Sequence, residues 1–337
     1  MEDLIFKLCS SIGISGNEYN TSQLVLNELK KYAQVNCDHN GNVTAIIGNG
    51  DNGKHIMLDA HIDQIGLIVT FIDDNGFIKV APCGGVDRRI MLGSTVTLAN
   101  NQDVHGIVCC MPPHLSNSGD DSITSVDKMY IDFGMSKDEI SKIVSVGDYI
   151  TIYSSPKKLI SDYISAPALD NRAGIASLIR CAQILYEQNI NCKLTILLSS
   201  QEETGEIGAK TCSYTINPDE CIVVDVSFGA QPSVPTEKCG KLGDGPMIGI
   251  APSLCENIYN KLIDIAKNND IPYQIEVMNG QTGTNADVIS TTRDGVKTGL
   301  ISIPLRYMHT PVEIVNINDI ENTAKLIALY VKDGGVY

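Results

Sequence analysis

The chain has 337 residues, 43% of them hydrophobic, enough apolar material for a large buried core, and its length predicts one large domain plus a smaller one. Its formal charge is −15, from 25 Lys and Arg against 40 Asp and Glu, and the basic pairs Lys30-Lys31, Arg88-Arg89 and Lys157-Lys158 are isolated, which argues against a nucleic-acid partner. Met1-Glu2-Asp3 is unlike a signal peptide, no apolar run reaches a membrane span, and the eleven cysteines lack Cys-x-x-Cys spacing, so a reduced, cytoplasmic protein with no membrane partner is expected.

In chain order, Leu4, Ile5, Leu8 and Ile12 recur at helical spacing, and Ser15 to Glu18 has the form of a capping box opening a second helix through Leu24, Val25, Leu29 and Tyr32. His39-Asn40-Gly41-Asn42 predicts a hairpin turn, followed by strands at Val43–Ile47 and His55–Asp59. From about Gly66 to Ser155 the texture changes to short β-rich runs at Gly66–Ile72, Phe77–Ala81, Thr95–Leu98, Val104–Cys110 and Tyr149–Tyr153, with one clear helix at Lys137–Ile143. Beyond Ile160, helices are expected at Arg172–Gln188, Cys255–Asn268 and Ile317–Lys332. They alternate with strands at Leu194–Ser199, Cys221–Val226, Met247–Ile250, Tyr273–Val277 and Thr298–Ile303. The expectation is an α/β fold with a mainly parallel sheet covered by helices on both faces, formed by residues 1–65 and 156–337 and interrupted by a β-rich module at 66–155.

Sites in such sheets form beyond the carboxyl ends of strands, and unusual polar groups fall there. His55–Asp59 runs into Ala60-His61-Ile62-Asp63, Leu194–Ser199 into Gln201-Glu202-Glu203, and Thr298–Ile303 into Arg306-Tyr307-Met308-His309. Cys221–Val224 ends at Asp225, and Asp170 stands before a helix. Singly each has a plainer reading: a surface loop for His61 and Asp63, a solvated pair for Glu202-Glu203, a turn for Asp225, a helix cap for Asp170. Together they place two imidazoles and several carboxylates around one crevice. Carboxylates so close repel one another, and divalent cations relieve the repulsion with the His and carboxylate ligands they favour. Of the adjacent acids Glu202 and Glu203, one can bind metal while the other moves a proton.

The ordered set of Ala60-His61-Ile62-Asp63, Leu169-Asp170-Asn171-Arg172-Ala173-Gly174, Gln201-Glu202-Glu203, Lys241-Leu242-Gly243-Asp244-Gly245-Pro246, Ile301-Ser302-Ile303-Pro304 and Arg306-Tyr307-Met308-His309-Thr310-Pro311-Val312-Glu313 resembles the co-catalytic metallo-aminopeptidases of peptidase family M42, over nearly the whole chain. That family includes glutamyl, leucyl and lysyl aminopeptidases that build hollow tetrahedral (TET) particles, and members named endoglucanases. The resemblance implies two divalent ions per subunit, zinc or cobalt or else manganese. It assigns His61 and Asp225 to one, Glu203 and His309 to the other, and Asp170 to both. Glu202 becomes the general base, and Asp63 the carboxylate that orients and polarises the site. It further implies peptide substrates with a free N-terminus, a β-rich dimerisation domain, and dimers building to a homo-dodecamer.

The chain departs from the family pattern at Gln64, where Glu is common, and at Asn285, where Gly283-Thr284-Asn285-Ala286 replaces Gly-Thr-Asp-Ala. Neither position is an inferred metal ligand; Asn285 is a candidate substrate contact. Lys238 and Lys241 are candidates for a specificity pocket favouring acidic N-terminal residues, so the preference is expected to be glutamyl or leucyl. The rival readings are a metal-dependent deacylase or aminoacylase, an endoglucanase, and a non-catalytic assembly protein of the same fold. The absence of Trp and the presence of only five Phe count against a sugar groove.

Overall fold

The computed structural model describes residues 1–48, 53–115 and 123–336. Its centre is an eight-stranded sheet with the spatial order Gln34–Cys37, Val43–Ile47, Lys193–Ser199, His55–His61, Glu220–Phe228, Lys297–Leu305, Met247–Ile250 and Gln274–Val277. The four strands from Lys193–Ser199 to Lys297–Leu305 are mutually parallel. On either side of them the pairings are antiparallel, before a last parallel pair, Met247–Ile250 with Gln274–Val277. The sheet is therefore mixed: parallel at its centre, as expected, with antiparallel pairings on both sides that the expectation did not include. The antiparallel side begins in the Gln34–Ile47 hairpin, whose turn at Asp38 to Asn42 is the one its Asn-Gly signalled.

Alternation along the central strands divides the core. Ile56, Leu58, Ala60, Leu194, Ile196, Ile222, Val224 and Ile301 pack on one face beneath the helices Leu169–Leu185, Glu256–Asn268 and Ile317–Lys332. Met57, Leu197, Val223 and Leu300 pack on the other, under the shorter helices Ile207–Ile216 and Ala286–Ser290. His61 lies two and four residues beyond Asp59 and Met57, so it shares their face of the strand. Helices Ile207–Ile216 and Ala286–Ser290 were not expected from the sequence. The first is rich in Thr, Ser and Gly and ends in β-branched residues, a weak helical signal, and the second spans five residues.

Two local expectations change. The helix Tyr19–Leu29 starts one residue after Glu18, so Ser15 to Glu18 is not a capping box: Ser15 bonds Thr204 at 2.7 Å, and the Glu18 carboxylate accepts the Gly16 and Gln201 N–H groups at 2.8 and 3.1 Å. Asp225 lies inside its strand, which runs on to Phe228.

Between these parts of the sheet, Gly66–Ile72, Ile78–Cys83, Tyr130–Asp132, His105–Cys109, Thr95–Leu98 and Tyr149–Ile152 close into a barrel with its own apolar core, including Leu67, Val80, Val96, Ile131 and Ile150. A third, small sheet of Lys157–Lys158, Tyr163–Ala166 and Glu313–Asn316 leads the chain into Asp170.

Candidate metal centre

His61 is the last residue of its strand, beside Ser199 of the neighbouring parallel strand. Asp225 reaches toward it from the strand on the other side, and its Oδ1 lies 3.7 Å from His61 Nε2. Asp170 breaks the first turn of its helix: its own φ and ψ and those of Asn171 are non-helical, the peptide between them is cis, and Ala168 before them sits at φ +57°. Asp170 is thus not a helix cap. The break turns its carboxylate into the crevice, and Asn171 braces it by donating to the Val224 carbonyl at 2.8 Å. His309 stands at φ +61° in the loop after Lys297–Leu305, and that loop is closed at its base by paired bonds between Arg306 and Ile314.

The two oxygens of Asp170 face different imidazoles. Oδ1 lies 3.0 Å from His61 Nε2, and Oδ2 lies 3.3 Å from His309 Nε2, which is also 3.4 Å from Glu203 Oε1. Three groups of donor atoms result, each within 4.8 Å: His61, Asp170 and Asp225; Asp170, Glu203 and His309; His61, Glu202 and Glu203. Asp63 touches none of them by a metal-facing atom. Its carboxylate oxygens accept the N–H groups of Glu202 and Glu203 at 2.9 and 3.0 Å, and its carbonyl faces His61 Nδ1 at 3.1 Å. The other ring nitrogen of His309, Nδ1, faces the Gly85 carbonyl at 3.0 Å. Both histidines therefore have one nitrogen fixed by a carbonyl and the other aimed at the carboxylates, which suits a neutral imidazole offered to a cation.

The electrostatics show the strain of so many acids. Burial, and then the neighbouring Asp225, Glu203 and Asp170, push Glu202 up to about 9 against the pull of His61. Burial also raises Glu203 and Asp225, while Asp170, despite its burial, is held well below the usual carboxylate range by bonds from His309 and His61. His309, though partly desolvated, is lifted to about 11 by Asp170 and Glu203. A donor set of two imidazoles and four carboxylates, split by one shared aspartate, fits divalent cations.

Some residues sequence reasoning singled out lie elsewhere. Asn285 is buried behind the cluster, donating to Asp59 at 2.8 Å and Ser199 at 2.9 Å. Lys238 is exposed in a short turn, and Lys241 pairs with Asp244 at 2.9 Å, while its loop is held by Asp319 through the Gly243 and Gly245 N–H groups. Other residues gained a role only in three dimensions. Arg172, fully buried, donates to the Ile62 carbonyl and so steadies the segment between His61 and Asp63. Glu313 accepts from the backbones of Asp170 and His309.

This layout can be set beside known proteins. Residues 41–326 match the family model described as M42 glutamyl aminopeptidase. The chain belongs to that family. Among the family's relatives, the lysyl aminopeptidase of Pyrococcus furiosus is 32% identical over 334 residues, covering 96% of this chain and 94% of its own. The solved aminopeptidase APDkam598 of the archaeon Desulfurococcus kamchatkensis superposes with a TM-score of 0.92 at 31% identity, over 98% of this chain and 94% of its own. The Pyrococcus horikoshii TET1 peptidase, which can assemble into a tetrahedron or a large octahedral shell, gives 0.85 at 30% identity over 98% of each chain. Membership makes the protein an aminopeptidase-family hydrolase, and its described residues carry candidate metal-ligand groups. Among the described residues no helix is long and apolar enough to cross a membrane.

Proposed function

We propose that this family member is a two-metal aminopeptidase that removes N-terminal residues from peptides in the cytoplasm. The observation that carries the reading is the split of Asp170 between His61 with Asp225 on one side and His309 with Glu203 on the other. Two divalent ions held there, zinc or cobalt or manganese, would supply Lewis acidity and a water whose pKa is lowered to about 7.

Glu202 does the proton work. It is left without a hydrogen bond to either imidazole, and its backbone is fixed by Asp63 beside the shared ligands. It takes a proton from the attacking water and returns it to the departing amine. The acids of the crevice also favour the substrate's free α-ammonium group, which suits an exopeptidase.

The cavity next to Asp170, Glu203 and His309 is lined by Ile65, Leu67, Val86, Ile152 and Pro311, and neither Lys238 nor Lys241 lines it. An apolar wall with no Lys or Arg among its lining residues supports a leucyl rather than a glutamyl preference. By likeness to its TET relative, the chain would assemble as a homo-oligomer, dimers building to a dodecamer, with the barrel as the dimerisation domain.

The test is hydrolysis of aminoacyl-p-nitroanilides by protein stripped of metal and reloaded with zinc, cobalt or manganese. Metal-restored cleavage, fastest on leucine, is expected. No cleavage with any metal would sink the reading, and a preference for glutamate would return the specificity to Lys238 and Lys241.

A further inference from the structure

Glu313 is a buried carboxylate, 2% exposed, at the first position of the strand Glu313–Asn316. Each of its oxygens is used by the main chain. Oε2 accepts the Asp170 N–H at 3.1 Å, and Oε1 accepts the His309 N–H at 2.8 Å. The side chains of those same two residues meet on the other side, His309 Nε2 lying 3.3 Å from Asp170 Oδ2.

The topology explains why this residue alone reaches both. Glu313 pairs in antiparallel register with Ala166, four residues before Asp170, and lies four residues after His309. Both approaches pass through backbone that regular structure does not satisfy. Ala168 stands at φ +57°, Tyr307 at +60° and His309 at +61°, and single non-glycine residues hold such angles only where surrounding contacts fix them. The Glu313 carboxylate is such a contact for both segments at once. Asp63 does the same for the main chains of Glu202 and Glu203, so each carboxylate clamps two main-chain N–H groups of the cluster.

We propose that Glu313 is a positioning residue that sets the span between the shared Asp170 carboxylate and the His309 imidazole by holding both main chains on its two oxygens. The proposal rests on the two-metal reading above. A Gln at this position keeps one acceptor and turns an amide N–H toward a backbone N–H. An Asp keeps both oxygens but is one methylene short of spanning the two amides.

The experiment is equilibrium dialysis of stripped wild-type, Glu313→Gln and Glu313→Asp proteins against zinc, counting bound metal by mass spectrometry, with the visible spectrum of the cobalt-loaded forms alongside. For Glu313→Gln we expect the weaker zinc equivalent to lose about 10–100-fold in affinity. Its cobalt bands should shift, its far-ultraviolet dichroism should stay that of the wild type, and Glu313→Asp should fall between. Wild-type zinc binding and cobalt bands in Glu313→Gln would overturn the proposal, whatever its melting temperature. If Glu313→Gln does not fold, Glu313→Asp decides, and unshifted cobalt bands there would overturn it equally. A wild-type protein that binds no zinc would instead overturn the two-metal reading itself.

Discussion

Glu202 and Glu203 are neighbours in sequence and rest on the same aspartate, yet Glu203 alone of the two pairs with an imidazole, His309, at 3.4 Å, while Glu202 shares only the looser group with His61. Their backbones are fixed alike, so it is the side chains that would separate the proposed ligand from the proposed proton carrier. Glu202→Gln is expected to keep two equivalents of metal and to lose about 10²–10⁴-fold in turnover, read by steady-state rates beside metal analysis. Metal loss in step with activity would instead make Glu202 a ligand. Asp63→Asn sets one amide against a backbone N–H and should weaken metal binding by about 10–100-fold, read by chelator competition. The sequence made the ligand candidates legible because each falls at or near a strand end, where side chains point into a crevice. Asp59, Arg172 and Glu313 were illegible because their partners are backbone groups or residues more than a hundred positions away, as with Asn285 for Asp59 and Ile62 for Arg172.

At the scale of elements, the central strand His55–His61 is tied at its far end by His55, whose Nε2 lies 2.8 Å from the Thr195 hydroxyl. Burial and then Lys193 lower His55 from 6.5 to about 4, against the pull of Asp219. The folded ring is neutral where the unfolded one is charged, so its contribution is complete above pH 6.5 and is lost as pH falls through the window down to about 4. Melting curves between pH 7 and 4 should therefore fall less steeply for His55→Gln than for the wild type. Equal slopes would remove His55 from the account. The loop Lys241 to Pro246, which reads in sequence only as a family mark, owes its form to Asp319. Gly245 there has φ +93°, and an added Cβ would lie 2.0 Å from the Pro272 carbonyl oxygen. Gly245→Ala should cost more than about 1 kcal/mol, measured by denaturant unfolding. The parallel centre of the sheet was legible in its continuous apolar strands. Its antiparallel flank was not, because a short strand carries no signal of direction and pairing is settled by the hairpin and by the neighbours on offer.

Across the whole molecule, the barrel and the sheet meet at a candidate metal ligand, His309. The barrel-side Gly85 carbonyl fixes His309 Nδ1 at 3.0 Å, and a Cβ on Gly85 would come within 2.7 Å of that nitrogen. Gly85→Ala is expected to push the ring away and to lower the affinity for one metal equivalent while the other binds as before, measured by isothermal titration. The change of texture at Gly66 falls on the first barrel strand, because two-residue alternation and Asn-Gly turns are local signals. The rim contact with His309 spans 224 positions and left no such trace.

The insertion also sets a timetable. His55 pairs with Lys193, 193 − 55 = 138 positions later, while every strand of the barrel has emerged by Ile152. At synthesis rates of about 5–20 residues per second, this buried central strand waits on the order of ten seconds for its parallel neighbour. During that interval the barrel can close, and His55–His61 remains an unpaired apolar edge. The candidate metal cluster is complete only when His309 has been made, so the nascent chain carries the unpaired edge of His55–His61 until Lys193–Ser199 emerges, and the open cluster for longer still.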